Sequence, residues 1–454
     1  MRSDRTISRI LVALTIAGLV GCAGAVVSPR PSPSTNAPPS APAPASAPAP
    51  ASANPLAGRD AWLAVGRRGQ AGVEVILAST AERLFELPVG VPTERWQQQV
   101  TATSDGTRTT LTFLTVQPGF GGWKTEIDGV WQLPTIGLEP MPAGVSSNVA
   151  ESPNKSTTIL VELAPGGQPG TTRFAVVRRD ALGGSKSSVI ELKGLFDYDA
   201  ISPDGSSLYV VEHLGAAPEH RYQVRVVDVA TGVLNDTIIA DKRNLDEAMA
   251  GWPIAQLVRP DGMVFTLYRG TEHPFIHALN TIEAWAVCID LPANDADDAM
   301  AALDWGLVAA PDGHAIFAVN ATLGLAVDVD PRELAVRRSA RLDPVAASSI
   351  VLAKFGHQEL GTAGRRVVIS GDGQTIYAAG STGILVVDAA RLTKAQGFLE
   401  GTAVAGLGLT PDGRTMFAIE AGSGRIVALD AASGTVLGAV PGDGFDRILA
   451  VTPW

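Results

Sequence analysis

Short apolar segments separated by turn residues repeat along most of the chain. The clearest copy has an apolar segment at 407–410, a Pro-Asp-Gly turn at 411–413, and further apolar or alternating segments at 414–419, 425–430 and 435–440. Runs of this kind are typical of strands, and Asp-Gly between two of them indicates a hairpin because Gly takes the positive φ that the turn needs. The pattern predicts a unit of four antiparallel strands.

The same turn returns at intervals of 40 to 60 residues along the chain. Asp-Gly pairs begin at positions 105, 204, 261, 312, 372 and 412, and a degenerate copy occupies 152–155. A second signature, a Val-Asp or Leu-Asp pair that ends the third strand, occurs at 227–228, 327–328, 387–388 and 429–430. Four-stranded units that repeat every 40–50 residues or so are typical of propeller blades.

The two ends of the repeat region complement each other. Residues 447–453 match the first strand of a unit, and residues 60–88 match strands two to four. The sequence therefore predicts an all-β fold, a β-propeller of eight four-stranded blades whose closing blade is built from both termini. Seven blades are the alternative, because the copy around Asn154 is the weakest. Closure of this kind leaves no large unpaired sheet edge.

The Pro-Asp-Gly turn, the strand after it and the pattern Val-x-Asp-x-x-Thr/Ser-Gly resemble the repeat of bacterial YVTN-type and WD-like β-propellers. The resemblance covers most of residues 60–454. The full Tyr-Val-Thr-Asn tetrapeptide does not occur, and segments 209–212 and 317–320 come nearest to it. The resemblance implies the propeller fold and leaves the function open, because this scaffold carries many functions.

The first 22 residues are predicted to be a lipoprotein signal peptide. Three Arg residues precede an apolar run at 10–20, which is too short to span a bilayer. The segment Leu-Val-Gly-Cys at 19–22 matches the lipobox of bacterial lipoproteins, so Cys22 is the predicted lipidation site. More than one acyl chain would hold the protein stably on the membrane. The alternative is an ordinary signal peptide with an incidental Cys.

Residues 23–57 are rich in Pro, Ala and Ser and have no apolar periodicity. Such a segment cannot bury a core and is predicted to be a disordered linker. Because Pro-rich chain is semi-rigid, the linker would lift the predicted propeller domain, residues 58–454, off the membrane. A Pro-rich recognition ligand is the alternative.

The net charge of the chain limits the kinds of molecule that it is expected to bind. The formal net charge is −11, and the predicted signal peptide carries three Arg and one Asp, so its removal makes the charge more negative. An acidic surface disfavours nucleic acid and direct adsorption to anionic lipid. We expect a monomeric propeller that faces outside the cytoplasm, at the cell surface or in the periplasm, and contacts a cell-envelope protein or polymer.

The sequence contains no Gly-x-Ser-x-Gly motif, no phosphate loop and no complete dinucleotide fingerprint. His273 and His277 are four residues apart, but the Pro-Phe-Ile between them indicates a strand rather than a zinc-binding helix. Cys288 lies in an apolar segment and is predicted to be a buried, unreactive thiol. We therefore predict no catalytic residue and no cofactor.

Propeller geometry sorts the loops onto two ends of the blades. Asp-Gly turns lie at one end, and the loops between second and third strands, with those that join blades, lie at the other. Aromatic residues predicted to bind a ligand or partner at this second end, around the mouth of the channel, are Trp96, Trp123, Tyr198, Trp252 and Trp305. Aromatic side chains supply large contact areas with few rotors to freeze. The alternative is that they wedge between adjacent blades.

Histidines in the same loops raise the question of a metal site. The candidates are His213, His220 and His273, with Glu219 or Glu272. A metal site requires their imidazole nitrogens within bonding distance of one point, and the alternative is that they are surface residues. The function predicted is a binding or scaffolding module. The competing prediction is a propeller enzyme of the lactonase or hydrolase type, with a site at the central channel.

Overall fold

The computed structural model describes Leu56 and residues 59–68, 73–87, 98–104, 108–119, 122–134, 149–154, 156–161, 170–179, 185–214, 221–241, 249–270, 273–292, 304–343 and 365–453. The chain divides between Ser52 and Ala53, and every described residue belongs to the second part. Cys22 and most of the predicted linker therefore lie outside the described residues. Within the described ranges no helix is long and apolar enough to cross a membrane.

The described residues form strands and turns. In chain order the strands are β1 (Ala61–Arg67), β2 (Val73–Leu77), β3 (Arg83–Leu87), β4 (Gln98–Ser104), β5 (Arg108–Gly119), β6 (Gly122–Pro134), β7 (Val149–Glu151), β8 (Thr157–Val161), β9 (Thr171–Arg179), β10 (Ser185–Lys193), β11 (Phe196–Ile201), β12 (Ser207–His213), β13 (Arg221–Asp228), β14 (Val233–Ile239), β15 (Met249–Val258), β16 (Met263–Gly270), β17 (Pro274–Asn280), β18 (Trp285–Asp290), β19 (Trp305–Ala309), β20 (Ile316–Asn320), β21 (Leu325–Asp330), β22 (Ala335–Arg341), β23 (Val367–Ile369), β24 (Thr375–Gly380), β25 (Gly383–Asp388), β26 (Thr393–Phe398), β27 (Val404–Leu409), β28 (Thr415–Glu420), β29 (Ile426–Asp430), β30 (Val436–Ala439) and β31 (Phe445–Pro453). The prediction of an all-β fold is confirmed.

Hydrogen bonds join these strands into antiparallel sheets of consecutive strands. Five sheets have four strands, in the orders β3-β2-β1-β31, β10-β9-β8-β7, β19-β20-β21-β22, β23-β24-β25-β26 and β27-β28-β29-β30. In the described part of the chain, β4-β5-β6 is a three-stranded sheet. An eight-stranded sheet combines β11–β14 with β15–β18, because β13 pairs with β15 through Tyr222 and Met249. This junction between two successive units was not predicted.

One sheet is built from both ends of the described chain, as the sequence predicted. Strand β1 pairs with β31, and Leu63 lies opposite Val451. Leu63, Ile448 and Phe445 are fully buried in a core cluster with residues of β28 and β29. The last strand of the chain therefore completes a sheet whose other three strands come from residues 61–87.

The recurring turn is held by its own Asp side chain. In the first well-described copy, the backbone N–H of Ser206 and the hydroxyl of Ser202 both donate to Asp204 Oδ1, at 3.0 and 2.6 Å. The Ser202 hydroxyl bond, followed by the Ser206 backbone bond, lowers the pKa of Asp204. Gly205 takes a φ of 74°, which explains why Gly follows Asp in all copies of the turn except the degenerate one at 152–155. Thr410 and Asp412 repeat the hydroxyl–carboxylate contact at 2.6 Å.

The core lies between successive sheets. Alternate residues of one strand point to opposite faces, so Phe265 and Leu267 pack against the β19–β22 sheet, whereas Val264 and Tyr268 pack against β11–β14. The other core clusters join neighbouring sheets in the same way. This face-to-face packing of successive sheets makes a residue on one face of a strand part of the interface between two sheets.

Candidate functional site

Two His–carboxylate pairs lie at the end of the sheets where second strands end and third strands begin, which we call the loop end. His213 Nε2 is 2.7 Å from Asp197 Oδ2, and His273 Nε2 is 3.0 Å from Asp290 Oδ1. The first pair belongs to the β11–β14 unit and the second to the β15–β18 unit, and all four side chains are partly exposed. The loop end of these two units therefore presents titratable groups to solvent.

Two exposed leucines flank the first pair. Leu195 precedes β11 and is 39% exposed, and Leu214 follows β12 and is 41% exposed. The backbone N–H of His213 donates to the Leu195 carbonyl at 3.0 Å, which brings the two loop segments together. Apolar side chains beside a hydrogen-bonded polar pair form a surface suited to contact with another molecule.

The histidines predicted to hold a metal are not brought to one point by the described residues. His213 and His273 each contact a carboxylate of their own unit. His220, Glu219 and Glu272 lie outside the described residues. Within the described ranges, no group of three or more His, Cys, Asp and Glu side chains is placed to hold a metal ion.

The predicted aromatic residues occupy different environments. Tyr198 lies on β11 with its side chain partly buried, and burial followed by the nearby charge of Asp199 raises its pKa. Trp305 is 1% exposed and packs in the core between the β15–β18 and β19–β22 sheets. It therefore wedges between adjacent sheets, which is the alternative that the sequence left open. Trp123 and Trp252 lie on strands β6 and β15, with side chains outside the description, and Trp96 lies outside the described residues.

A stack of aromatic rings lies beneath the loop end. Tyr222, the register partner of His213, stacks on Tyr268 with ring centroids 4.9 Å apart and planes at 16°. Tyr268 stacks in turn on Phe275 at 5.2 Å, and its ring meets that of His277 edge-on at 6.3 Å. These rings pack in the interface between the two joined units, so an aromatic layer lies beneath the loop-end surface.

Asp199 is a buried acid in the same interface. It is the extra residue in a β-bulge of β11, between the paired residues Tyr198 and Ala200, and it is 1% exposed. The Gln256 amide donates to the Asp199 carbonyl oxygen at 3.0 Å and to Thr266 Oγ1 at 2.9 Å. Burial raises the pKa of Asp199 to about 7.

A row of polar residues crosses the β15–β18 unit on the face turned toward Asp199. Register neighbours on the four strands are Gln256, Thr266, His277 and Cys288. Its first two members, Gln256 and Thr266, are the third residue pair counted from the β15–β16 hairpin. At the same register in the three sheets that follow, the rows are Leu307-Ala318-Val327-Ser339, Val367-Ala378-Leu385-Gly397 and Leu407-Ala418-Val427-Ala439. The β15–β18 unit therefore has polar groups where the three sheets that follow have a mainly apolar row.

Several polar atoms of this interface have no hydrogen-bond partner among the described residues. They are Asp199 Oδ2, the hydroxyl oxygens of Tyr222 and Tyr268, and both ring nitrogens of His277. Burial lowers the pKa of His277 to about 4, so its ring is neutral at physiological pH. Sequence reasoning missed Asp199 and gave His277 no role. Comparing His277 with the residues at the same register in the three following sheets would have found it, because Val327, Leu385 and Val427 are apolar.

No family model matches the sequence, and no curated protein matches it. Among solved structures, apo AztD from Citrobacter koseri is similar at a TM-score of 0.51 and 14% identity, over 86% of this chain and 98% of that one. The periplasmic gluconolactonase PpgL of Pseudomonas aeruginosa is similar at a TM-score of 0.43 and 18% identity, over 86% of this chain and 98% of that one. The beta-propeller domain of Cps50 (Swd1) from Myceliophteria thermophila is similar at a TM-score of 0.35 and 13% identity, over 66% of this chain and 87% of that one.

Likeness at 14% identity shows the fold and does not extend to ligand or activity. Antiparallel sheets of mostly four strands, stacked face to face in chain order, are the architecture of propeller blades. The domain is an all-β β-propeller.

Proposed function

We propose that this chain is a lipid-anchored, extracytoplasmic β-propeller that works as a binding or scaffolding module. The contact surface is the loop end of the β11–β18 units, and the occupant is a protein or polymer of the cell envelope. The proposal is carried by one observation: Leu195 and Leu214 are exposed together beside the His213–Asp197 pair. Apolar side chains next to groups that form hydrogen bonds supply both affinity and orientation to a partner.

A lipid anchor, a spacer and a ring of blades hold this surface outside the membrane. Lipidation at Cys22 and the spacer at 23–57 place the propeller outside the membrane, and eight blades, seven being the alternative, form its circle. The eight-blade count is supported by the grouping of the strands into successive sets of three or four, with β31 added to β1–β3. Trp96, Trp123, Trp252 and Tyr198 extend the same proposed surface, and Trp305 supports it from within the core.

Photo-crosslinking in intact cells tests the proposed surface. A photoreactive amino acid replaces Leu195 or Leu214 in the full-length lipoprotein. The matched control is Ile282, which is 65% exposed and contacts the Asp-Gly turn at the opposite end of the sheets. We expect the two loop-end positions to give an adduct of the same discrete mass, and the control to give none. Sensitivity of that adduct to protease or to a glycan hydrolase identifies the class of partner.

Absence of an adduct at both loop-end positions, or the same adduct at Ile282, would contradict the proposed contact surface. Membrane anchoring is tested separately by fractionation of Cys22→Ser, so the contact surface and the anchor can fail independently.

A hydrolase of the lactonase type is the second candidate, and the His–carboxylate pairs favour it. A carboxylate that orients an imidazole is the arrangement used in general-base catalysis. If this function is correct, the purified protein hydrolyses simple lactones, and His213→Gln lowers kcat by at least about a hundredfold. His314→Gln, on the exposed Asp-Gly turn, serves as the control. Equal rates with and without the protein rule out hydrolysis of these substrates.

A further inference from the structure

Cys288 and Met249 bring their sulfur atoms to 3.8 Å from each other. Cys288 lies on β18, and Met249 begins β15, where that strand pairs with β13. Both side chains are partly buried against the core between the β11–β14 and β15–β18 units. Two sulfur atoms joined to one trigonal metal ion by bonds of about 2.3 Å lie about 4 Å apart, so the observed spacing suits a shared ion.

His277 is the register neighbour of Cys288 on the adjacent strand. Residues directly opposite each other on one face of an antiparallel pair have Cβ atoms about 4.5–5.5 Å apart, which is close enough for thiol and imidazole to bind one ion. The His277 side chain is 0% exposed, and in the part of the chain that the structure describes neither ring nitrogen has a hydrogen-bond partner. Buried polar groups are almost always paired, so a buried imidazole that has no partner among the described residues and lies opposite Cys288 in register points to a ligand.

We propose that Cys288, Met249 and His277 form a binding site for one Cu(I) ion. Thiolate and thioether ligands are soft and select Cu(I), and imidazole also suits copper. Because the third ligand is a methionine, the site is compatible with the finding that, in the described part of the chain, His, Cys, Asp and Glu alone form no metal cluster.

Charge balance favours this ion over a divalent one. When Cu(I) binds, the Cys288 sulfur loses its proton to solvent and forms the metal–sulfur bond, so the thiolate cancels the single positive charge of the ion. A neutral centre suits an interface built from Tyr222, Tyr268 and Phe275. Zn²⁺ would leave a net positive charge there and prefers four ligands in a tetrahedron.

The proposed site is open to solvent on one side and is lined by buried aromatic rings on the other. Met249 and Cys288 are partly exposed, so an ion can reach the two sulfur atoms from solvent. The buried rings of Tyr268 and Tyr222 lie on the inner side, where Tyr268 meets the His277 ring edge-on. A hydrophobic shell of this kind limits solvent access and controls the properties of a bound metal.

Anaerobic titration of the full-length lipoprotein in detergent tests the site, with Cu(I) competing against a chromophoric Cu(I) chelator. We expect one ion per chain, and X-ray absorption should show two sulfur ligands and one nitrogen ligand. Met249→Leu keeps the side-chain volume and should weaken binding by at least about tenfold. Met263→Leu replaces a partly buried methionine on the opposite face of the same unit and should leave the affinity unchanged.

Alkylation of the Cys288 thiol provides a second measurement that needs no variant. Saturating Cu(I) should protect the Cys288 thiol from alkylation, as measured by peptide mass spectrometry. This measurement uses the wild-type protein, so it does not depend on whether Cys288→Ser folds. No protection, or equal affinities of the wild type and Met249→Leu, would overturn the proposal. Tight binding of Zn²⁺ with a four-coordinate spectrum would also overturn it.

Discussion

Leu63, at the start of the described strands, lies opposite Val451, at their end, in adjacent antiparallel strands of one sheet. Val451 belongs to a strand whose residues Phe445 and Ile448 are fully buried against the β27–β30 sheet. The last strand thus pairs with one sheet and packs on another, and both contacts span almost the whole domain in sequence.

Removal of β31 is therefore expected to be far more harmful than removal of the linker. Deleting residues 445–454 exposes the edge of β1 and the core around Leu63, and should lower Tm by more than about 10 °C or abolish cooperative unfolding. Deleting residues 23–55 should leave Tm nearly unchanged. Calorimetry of both variants checks this, and equal Tm values would show that the closing strand is misassigned.

An ion pair between a buried carboxylate and a partly buried guanidinium links two further sheets. Asp304, 3% exposed, accepts from Arg366 Nη1 at 2.8 Å and from Thr322 Oγ1 at 2.6 Å. Thr322 Oγ1 in turn accepts from the backbone N–H of Ser381 at 2.9 Å. Asp304→Ala leaves the partly buried Arg366 guanidinium without this partner and should lower the free energy of unfolding by about 1–3 kcal/mol.

Arg414 provides the control for that measurement, because its contact with Asp412 is exposed and 3.9 Å long. Arg414→Ala should change the free energy of unfolding by less than about 1 kcal/mol. Denaturant titration with matched m-values measures both variants. A loss for Asp304→Ala no larger than that for Arg414→Ala would contradict a structural role for the ion pair.

Two glycines of one loop should respond differently to substitution. Gly424 has a φ of 68°, and a Cβ atom there would lie 2.7 Å from the Phe445 carbonyl oxygen. Gly424→Ala is expected to lower the free energy of unfolding by about 1–3 kcal/mol, because the strained φ is combined with a backbone clash. Gly422 has open space around its missing Cβ, so Gly422→Ala should be neutral or slightly stabilising. Similar losses for both variants would refute this account.

Asp199 should make stability depend on pH in an unusual direction. Its folded pKa is raised from 3.8 to about 7, so between these values the folded state holds a proton that the unfolded state has lost. The contribution of Asp199 to the free energy of unfolding therefore falls as pH rises from about 4 to about 7, by a few kcal/mol. It is constant outside that window.

Asp199→Asn removes this dependence, because an amide does not titrate. The difference in Tm between the variant and the wild type should shift in favour of the variant from pH 4 to pH 7, and stay level above pH 7. Asp236→Asn, at a fully exposed side chain, controls for the loss of a surface charge. A difference that does not change with pH would show that Asp199 is ionised in the folded protein throughout this range.

Cys22 is expected to be the membrane attachment point. Cys22→Ser prevents acylation and should move the protein from the membrane fraction to the soluble fraction, because the acyl chains supply the membrane affinity. Fractionation and metabolic labelling with a fatty acid measure this. Retention of Cys22→Ser on the membrane would contradict lipid anchoring. Cys288→Ser should keep the label and controls for the loss of any cysteine.

The strands were predictable because their determinants are local. Alternating apolar residues and Asp-Gly turns specify each hairpin within a few residues, and the segments predicted at 61–65, 73–77 and 83–87 fall on β1, β2 and β3. Cys288, expected to be buried, is only partly buried. Its exposure depends on Met249 and on strands of the neighbouring unit, which no local pattern encodes.

By itself the sequence determined the all-β class, the hairpin turns and the pairing of the last strand with the first sheet, because each rests on short-range patterning or on repeat register. Only the tertiary structure decided that Trp305 is core and that Asp199, His277 and Cys288 share one interface. Side chains meet there from separate sheets, and burial and contact between sheets depend on packing in three dimensions rather than on spacing along the chain.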